Sequence, residues 1–144
     1  MKESLHILYL TRKYPPAVGG MEKVSRELAD SLRTDMRVDV IAWGHSQIWL
    51  FMFLPYSLLM SVLKCLFDRP DVVYLGDAVM CVVGVPIKLL FGVPVVVTVH
   101  GLDVTYPPKW YQWMVARLLR NASRIVCVSD STRDECLRRG IPGP

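Results

Sequence analysis

The stretch that decides the fold is Val93-Pro94-Val95-Val96-Val97-Thr98-Val99-His100-Gly101-Leu102-Asp103. A β-branched run this dense predicts a strand that is buried on both faces of a parallel sheet. The run breaks into His100, Gly101 and Asp103, where such a strand reaches the edge of its sheet. Ligands of open α/β sheets bind at the carboxyl ends of the strands. His100 and Asp103 are therefore candidates for a functional site.

The same alternation of strand and helix extends through the chain. Four more strands are predicted at residues 6–10, 38–42, 71–75 and 124–128, with helical patterns between them. Strands that alternate with helices predict βαβ units, and right-handed crossovers place every carboxyl end at one edge. The expected fold is an α/β, doubly wound parallel sheet of about five strands in the order 2-1-3-4-5, with helices on both faces.

Two helices have particular sequence signals. Pro107 and Pro108 suit the first turn of a helix that runs to about Asn121. The first helix is expected to carry Glu22 away from its apolar face, since its apolar side chains recur at helical spacing. These apolar side chains are Met21, Val24, Leu28 and Leu32.

Composition bounds the class of protein. The 144 residues form one predicted domain, 1–144, and the apolar content of 52% allows a large core. The net charge of +4 comes from scattered bases, which argues against nucleic acid and is compatible with anionic small molecules or lipid headgroups. Four cysteines without C-x-x-C spacing, and a start that runs directly into a strand, predict a reduced, cytoplasmic chain. The three separated histidines predict no metal site, and no cofactor is expected.

The segment 46–63 contains no charged residue, and three interpretations of it stay open. It could cross a membrane, pack as a buried or edge helix, or dock on a membrane surface. Its position between two strands of one sheet disfavours crossing. The aromatic side chains of Trp49 and Phe51 beside Lys64 and Arg69 lead to a testable expectation, which is association with a membrane surface through residues 48–66.

Several polar residues at predicted strand ends each have a functional and a structural interpretation. Gly19 and Gly20 open the first helix, where free N–H groups can bind phosphate, but they also suit a tight turn. Ser129 could be only a helix N-cap, and Asp103 could cap the turn that follows it. The G-x-G-x-x-G, Walker and G-x-S-x-G motifs are all absent, which argues against common dehydrogenases, P-loop ATPases and hydrolases. Glu22 could only complement the helix dipole, and Arg12 and Lys13 could be plain surface charges.

Four motifs in order resemble the N-terminal, acceptor-side domain of family 4 glycosyltransferases, which have the GT-B fold. Residues 14–22, YPPAVGGME, resemble the family's YPP…GGxE opening. Residues 71–74 resemble its "pDvvh" strand, residues 95–103 its "PvvvtvHGxD" stretch, and residues 124–129 its "ii.vS" strand. Together the motifs cover nearly the whole chain.

The resemblance implies an enzyme of glycan biosynthesis. It would be a retaining, hexosyltransferase-type glycosyltransferase that moves a sugar from a nucleotide-sugar donor to a glycan or lipid-linked acceptor without a catalytic metal. Gly19 and Gly20 would lie against the donor diphosphate, and His100 and Asp103 would be the catalytic residues. Contacts to the acceptor or to phosphate are expected from Arg12, Lys13, Tyr14, Glu22 and Ser129. Because residues 95–99 already supply burial, His100→Ala is expected to affect transfer far more than folding.

The sequence also departs from the family pattern. The C-terminal, donor-binding domain of the family, with its E-x7-E motif, has no counterpart here, so the chain is expected to be inactive without such a domain. It would be an isolated domain, a truncated fragment, or a subunit whose partner chain carries the donor site. The alternative function is a non-catalytic binding or membrane-anchoring subunit at the inner face of the membrane. A third interpretation is a flavodoxin-like nucleotide binder.

Overall fold

The computed structural model describes residues 4–141 and contains a parallel sheet of five strands in the order β2-β1-β3-β4-β5. The predicted fold class and strand order are confirmed. Parallel pairing continues through the whole sheet, so every strand ends at the same edge, called the carboxyl edge below. The opposite edge is the amino edge. The strands are β1 (His6–Thr11), β2 (Arg37–Ala42), β3 (Val72–Leu75), β4 (Val95–Val99) and β5 (Arg124–Cys127).

Six α-helices connect and follow these strands within residues 4–141. Helices cover one face of the sheet over a large core that includes Leu8, Leu75 and Val97, all fully buried. The opposite face carries a smaller core, in which Tyr9 and Val38 pack with Ala29 of the first helix. The helices are α1 (Gly20–Leu32), α2 (Leu50–Phe67), α3 (Cys81–Phe91), α4 (Gly101–Thr105), α5 (Lys109–Leu119) and α6 (Asp130–Arg138).

The predicted inner face of α1 is wrong in two places. Val24 is 56% exposed, whereas Glu22, placed on an outer face by the sequence pattern, is buried together with Ser25 and Ala29. The ring of Tyr9 occupies the core beneath α1, so small side chains are what fit between the helix and the sheet. Glu22 tolerates burial because its carboxylate lies 4.0 Å from the ammonium of Lys13.

The helix predicted to run to about Asn121 is observed as α5, but Pro107 and Pro108 precede its first turn, with Pro108 as the N-cap. The helix α4 was not predicted. Five residues are too few for a periodic pattern to show. Asp103, the third residue of α4, stabilises the start of this short helix, because its carboxylate accepts a hydrogen bond from the backbone N–H of His100 at 2.9 Å. The residues that directly follow β4 therefore form the start of a helix, and this hydrogen bond holds them in place at the carboxyl edge.

The face of α2 that packs on the domain is built from Phe53 and small side chains. Ser57 and Ser61 are fully buried, and their hydroxyls donate to backbone carbonyls one turn earlier at 2.9 and 2.7 Å. Length and composition would allow α2 to cross a membrane, but both its ends join strands of one sheet, so it lies along the domain as a crossover helix. Its exposed large apolar side chains are Phe51, Met52, Tyr56, Leu59, Leu63, Leu66 and Phe67.

Candidate functional site

A cavity of about 630 Å³ opens at the carboxyl edge. Its polar lining is Arg12 and Lys13, which follow β1, and His100 and Asp103, which follow β4. The remaining wall is mostly apolar and comes from α1 to α5, the turn before α3 and the segment between α4 and α5. A volume of this size is ordinary for a small-molecule site. The apolar and aromatic lining residues are Met21, Leu50, Leu54, Val79, Val82, Leu102, Tyr106, Trp110, Tyr111 and Met114.

His100 is half-buried at the end of β4, with its ring turned toward the end of β3. Its Nε2 lies 3.1 Å from the carbonyl oxygen of Gly76. The His100 ring therefore has a buried partner, because Gly76 is itself buried. If Nε2 carries the proton, it donates to this carbonyl and Nδ1 is left as an acceptor. The bond holds the ring in one orientation at the cavity wall.

Asp103 is only 3% exposed and acts on the backbone around it. Its Oδ2 accepts hydrogen bonds from the N–H groups of His100 and Ala78, at 2.9 and 3.3 Å. Burial raises the pKa of Asp103, and the nearby charge of Asp77 raises it further. The interpretation that this residue caps the turn after it is wrong, because its carboxylate accepts from N–H groups that precede it in the chain and ties the ends of β3 and β4 together.

Asp77 and Arg12 form an ion pair beneath the cavity. The Nε of Arg12 lies 3.1 Å from Oδ1 of Asp77, whose side chain is fully buried. The same Oδ1 accepts a hydrogen bond from the N–H of Val79, while Oδ2 is buried without a hydrogen-bond partner in the part of the chain that the structure describes. Burial, together with the charge of Asp103, raises the pKa of Tyr111 to about 12, so this phenol stays protonated and able to donate.

The glycine pair lies beside this cluster at the start of α1. Gly19 caps the helix without a side-chain hydrogen bond, and a methyl group added there would lie 2.2 Å from a carboxylate oxygen of Glu22. A methyl group added at Gly20 would meet no atom within 4 Å. The open space at Gly20 lets another molecule approach the backbone closely. A glycine that served only to form a tight turn would not require such open space.

Three other predicted site residues lie outside the cavity lining: Tyr14, Glu22 and Ser129. Ser129 is the N-cap of α6, because its hydroxyl accepts from the N–H of Thr132 at 3.2 Å, so its predicted capping role is confirmed. Tyr14 packs against the smaller core. Their predicted contacts with acceptor or phosphate stay predictions, as do the roles of the cavity residues.

Sequence reasoning missed the ion pair between Asp77 and Arg12, the role of Tyr111 and the apolar walls. Asp77 carried a usable signal, since it directly follows a predicted strand and so had to lie at the carboxyl edge. Tyr111 carried none, because the sequence does not show which face of α5 points into the cavity.

A second charged cluster lies at the amino edge, far from the cavity in the fold. Ligand atoms of His6, Asp39 and Asp68 lie within 4.8 Å of one another, a spacing that could hold a metal ion. The sequence spacing did not reveal this group. The carboxylates already form ion pairs, since Lys64 lies 3.0 Å from Asp39 and Arg37 pairs with Asp68.

The sequence profile of Glycosyltransferase Family 4 matches residues 18–144 of this chain. The chain belongs to glycosyltransferase family 4. The match includes the glycine pair, His100 and Asp103, and the predicted resemblance is confirmed. No curated protein matches the sequence at a significant level.

Several solved structures share the fold of this family 4 chain. Anabaena Alr3699/HepE in complex with UDP superimposes with a TM-score of 0.61 at 18% identity, over 96% of this chain and 42% of that one. The lipopolysaccharide outer core galactosyltransferase WaaB gives a TM-score of 0.65 at 14% identity, over 94% of this chain and 43% of that one. A HepE complex with UDP and glucose gives 0.63 at 17% identity, again over 96% and 42%. The chain thus spans less than half the length of these proteins.

Proposed function

We propose that this chain is the acceptor-side half of a retaining glycosyltransferase that uses a nucleotide-sugar donor. The observation that carries the proposal is the cavity at the carboxyl edge, which brings His100, Asp103, Arg12 and Lys13 together. Family membership supports transferase chemistry, and HepE, a protein of the same fold, has been solved with UDP-glucose.

His100 has the geometry for the central role in this proposal. Its ring is fixed by the Gly76 carbonyl and lines the cavity, so it can contact a sugar hydroxyl or a phosphate oxygen as charge develops. Asp103 is a positioning residue, because its carboxylate holds the backbone N–H of His100. Gly20 leaves space for a diphosphate beside the free N–H groups of α1.

The chain alone is expected to transfer no sugar at a useful rate. Transfer requires two domains to close on the donor and exclude water. The experiment compares the chain alone with the chain joined to the donor-binding domain of a family 4 enzyme, using labelled UDP-sugars and a membrane extract as acceptor. We expect transfer only from the joined protein. Rapid turnover by the chain alone would refute the half-enzyme proposal, and no transfer from either protein would count against a transferase.

The outer face of α2 supports a second role, association with a membrane surface. Trp49 and Phe51 are 51% and 66% exposed, so the alternative in which they are sealed in the core does not hold. Large apolar side chains continue along the same helix to Phe67, which is 83% exposed. Exposed apolar surface of this extent is typical of an interaction site. Arg69 lies just after the end of α2, and a basic side chain there is of the kind that anionic lipid attracts.

Vesicle flotation tests this role. We expect the chain to float with anionic vesicles and to bind less as salt is raised. Phe51→Asp should weaken binding at least about tenfold, because burying a phenylalanine contributes about 1.5–3 kcal/mol. Leu137→Asp is the matched control, since Leu137 is 50% exposed on α6. Equal flotation of the two variants would mean that α2 does not contact the vesicle.

A further inference from the structure

The cavity at the carboxyl edge is more apolar than the reaction proposed for it requires. A glycan acceptor presents hydroxyl groups, and these need hydrogen-bonding partners along the wall of the site. Here ten of the fourteen lining residues are apolar or aromatic, and the four charged or imidazole side chains come only from the segments that follow β1 and β4. The cavity lining therefore consists of a polar part and an apolar part.

The polar part of the lining is continuous. Arg12 pairs with Asp77, the residue after Gly76, and the carbonyl oxygen of Gly76 lies 3.1 Å from Nε2 of His100. Asp103 in turn bonds the backbone of His100. These contacts connect the ends of β1, β3 and β4 into one polar cluster, so the polar groups share one region of the cavity wall.

The apolar part leads toward α2. Leu50 and Leu54 lie one turn apart on this helix and line the cavity. Phe51 and Met52 lie between them in sequence and are 66% and 55% exposed. One helix thus presents apolar side chains both to the cavity and to the outside. The apolar wall of the cavity and the exposed apolar face of α2 are therefore formed in part by neighbouring residues of one helix.

We propose that the acceptor of this enzyme is amphiphilic: a hydroxyl-bearing head that lies at His100, carried on a hydrocarbon tail that lies between α2, α3 and α5. This inference rests on the proposed transferase function and specifies its acceptor class. The head remains near the groups that can hydrogen-bond it, and the tail buries against side chains such as Val82 and Met114. A tail that leaves along Leu50 and Leu54 reaches the exposed face of α2, where a bilayer would hold it.

Binding of short alkyl glycosides to the 144-residue chain tests the inference. Hexyl and octyl glucoside are titrated below their micelle concentrations by calorimetry, with glucose as the tail-free probe. Each buried methylene strengthens binding up to about fourfold, so octyl glucoside should bind about tenfold tighter than hexyl glucoside. Geranyl glucoside replaces the linear tail by a branched isoprenoid and shows which hydrocarbon fits better. Equal binding of glucose and octyl glucoside, or affinity independent of tail length, would overturn the inference.

Variants locate the tail. Leu102 is 71% exposed and lines the cavity, so Leu102→Asp places a charge at its mouth without disturbing the core. We expect at least tenfold weaker binding of octyl glucoside, and no change for the control Leu137→Asp. Val82→Phe, which fills the cavity, should also weaken binding, whereas Val24→Phe on exposed α1 should not. If Phe51→Asp abolishes binding and Leu102→Asp does not, the tail lies on the outer face of α2 and the cavity assignment is wrong.

Failure of the acceptor class and failure of the transferase function give different results. If the joined two-domain protein transfers sugar to a soluble glycan and alkyl glucosides bind without tail dependence, the amphiphilic acceptor is refuted and the transferase stands. If binding depends on the tail and no nucleotide-sugar supports transfer, the transferase is refuted and the cavity is a lipid-binding site.

Discussion

At the amino edge of the sheet, carboxylates lie among cations, whereas at the carboxyl edge they are buried together. Asp39 accepts from His6 at 2.8 Å and from Lys64 at 3.0 Å, and Asp68 pairs with Arg37. Within the described residues, these two carboxylates have three partners, and all of them come from strands or helices of the scaffold. No residue that lines the cavity at the carboxyl edge belongs to this network.

The two edges shift carboxylate pKa values in opposite directions. A hydrogen bond from Arg37 lowers the pKa of Asp68. Burial acts to raise the pKa of Asp39, but hydrogen bonds from His6 and Lys64 outweigh it and lower the pKa. At the carboxyl edge, burial and the charge of Asp77 raise the pKa of Asp103. The amino edge therefore stabilises the fold, while the carboxyl edge concentrates buried charge, which is typical of functional sites.

The largest expected effect is a difference in turnover between variants of His100, at the carboxyl edge, and His6, at the amino edge. His100→Ala, made in a protein with both domains, should lower turnover about 100- to 1000-fold, as the loss of one preorganised hydrogen-bond donor does. His6→Ala should leave turnover unchanged and lower the free energy of unfolding by about 0.5–1.5 kcal/mol, because its hydrogen bond to Asp39 is lost. Steady-state kinetics and urea denaturation measure the two effects.

The stability of the His100→Ala variant decides whether His100 acts in transfer or in folding. Only its hydrogen bond to Gly76 is at stake, so unfolding should also change by about 0.5–1.5 kcal/mol. A collapse of the folded state would make His100 a structural residue. Normal turnover would remove it from the site.

The next largest effect is the dependence of stability on pH, which tests the opposite pKa shifts of the two edges. Because the pKa of Asp103 is raised on folding, its protonated form contributes stability below the ordinary value of 3.8, and this is lost as pH rises through the folded pKa. Asp103→Asn keeps an acceptor and cannot ionise, so it should gain stability relative to the unmodified protein as pH rises. Urea denaturation between about pH 3 and 8 follows this change.

Asp68→Asn is the matched variant at the amino edge. The lowered pKa of Asp68 contributes stability that is fully present above 3.8 and is lost as pH falls through the folded pKa. The disadvantage of Asp68→Asn should therefore disappear in acid. If both variants showed the same pH trend, the contrast between the two edges would be wrong.

The smallest expected effect on stability concerns Gly20. Gly20→Ala meets open space, and no left-handed backbone is required there, so stability should rise by about 0.4–1 kcal/mol. Donor binding should nevertheless weaken, because the methyl group lies where a diphosphate would approach. Thermal unfolding and titration with a UDP-sugar, again with both domains present, measure the two effects.

Gly92→Ala is the control for this change. Its surroundings are equally open, but its φ of 67° is left-handed, so alanine should destabilise the end of α3 by about 1–2 kcal/mol without affecting the donor. Unchanged donor binding in Gly20→Ala would mean that the glycine pair only forms a turn.

Much of the fold was predictable because its signals are local. The valine run at 95–99 predicts a buried strand, and its break at His100 predicts a strand end at the carboxyl edge. Residues 46–63 were harder, because an uncharged apolar helix looks the same in sequence whether it is buried, crosses a membrane or lies on one. Tertiary structure placed it as the crossover between β2 and β3, with serines inward.

The sequence by itself determined the parallel sheet, its strand order and the family, because β-branched runs, short connections and right-handed crossovers leave few other arrangements. Only the tertiary structure decided that Glu22 is buried and Val24 exposed, that Asp103 holds the backbone of His100, and that Tyr111 lines the cavity. Each of these facts depends on contacts between side chains of elements that are distant in sequence. Such contacts set the burial of a side chain, its pKa and its place in a cavity wall, and they cannot be read from the order of residues along the chain.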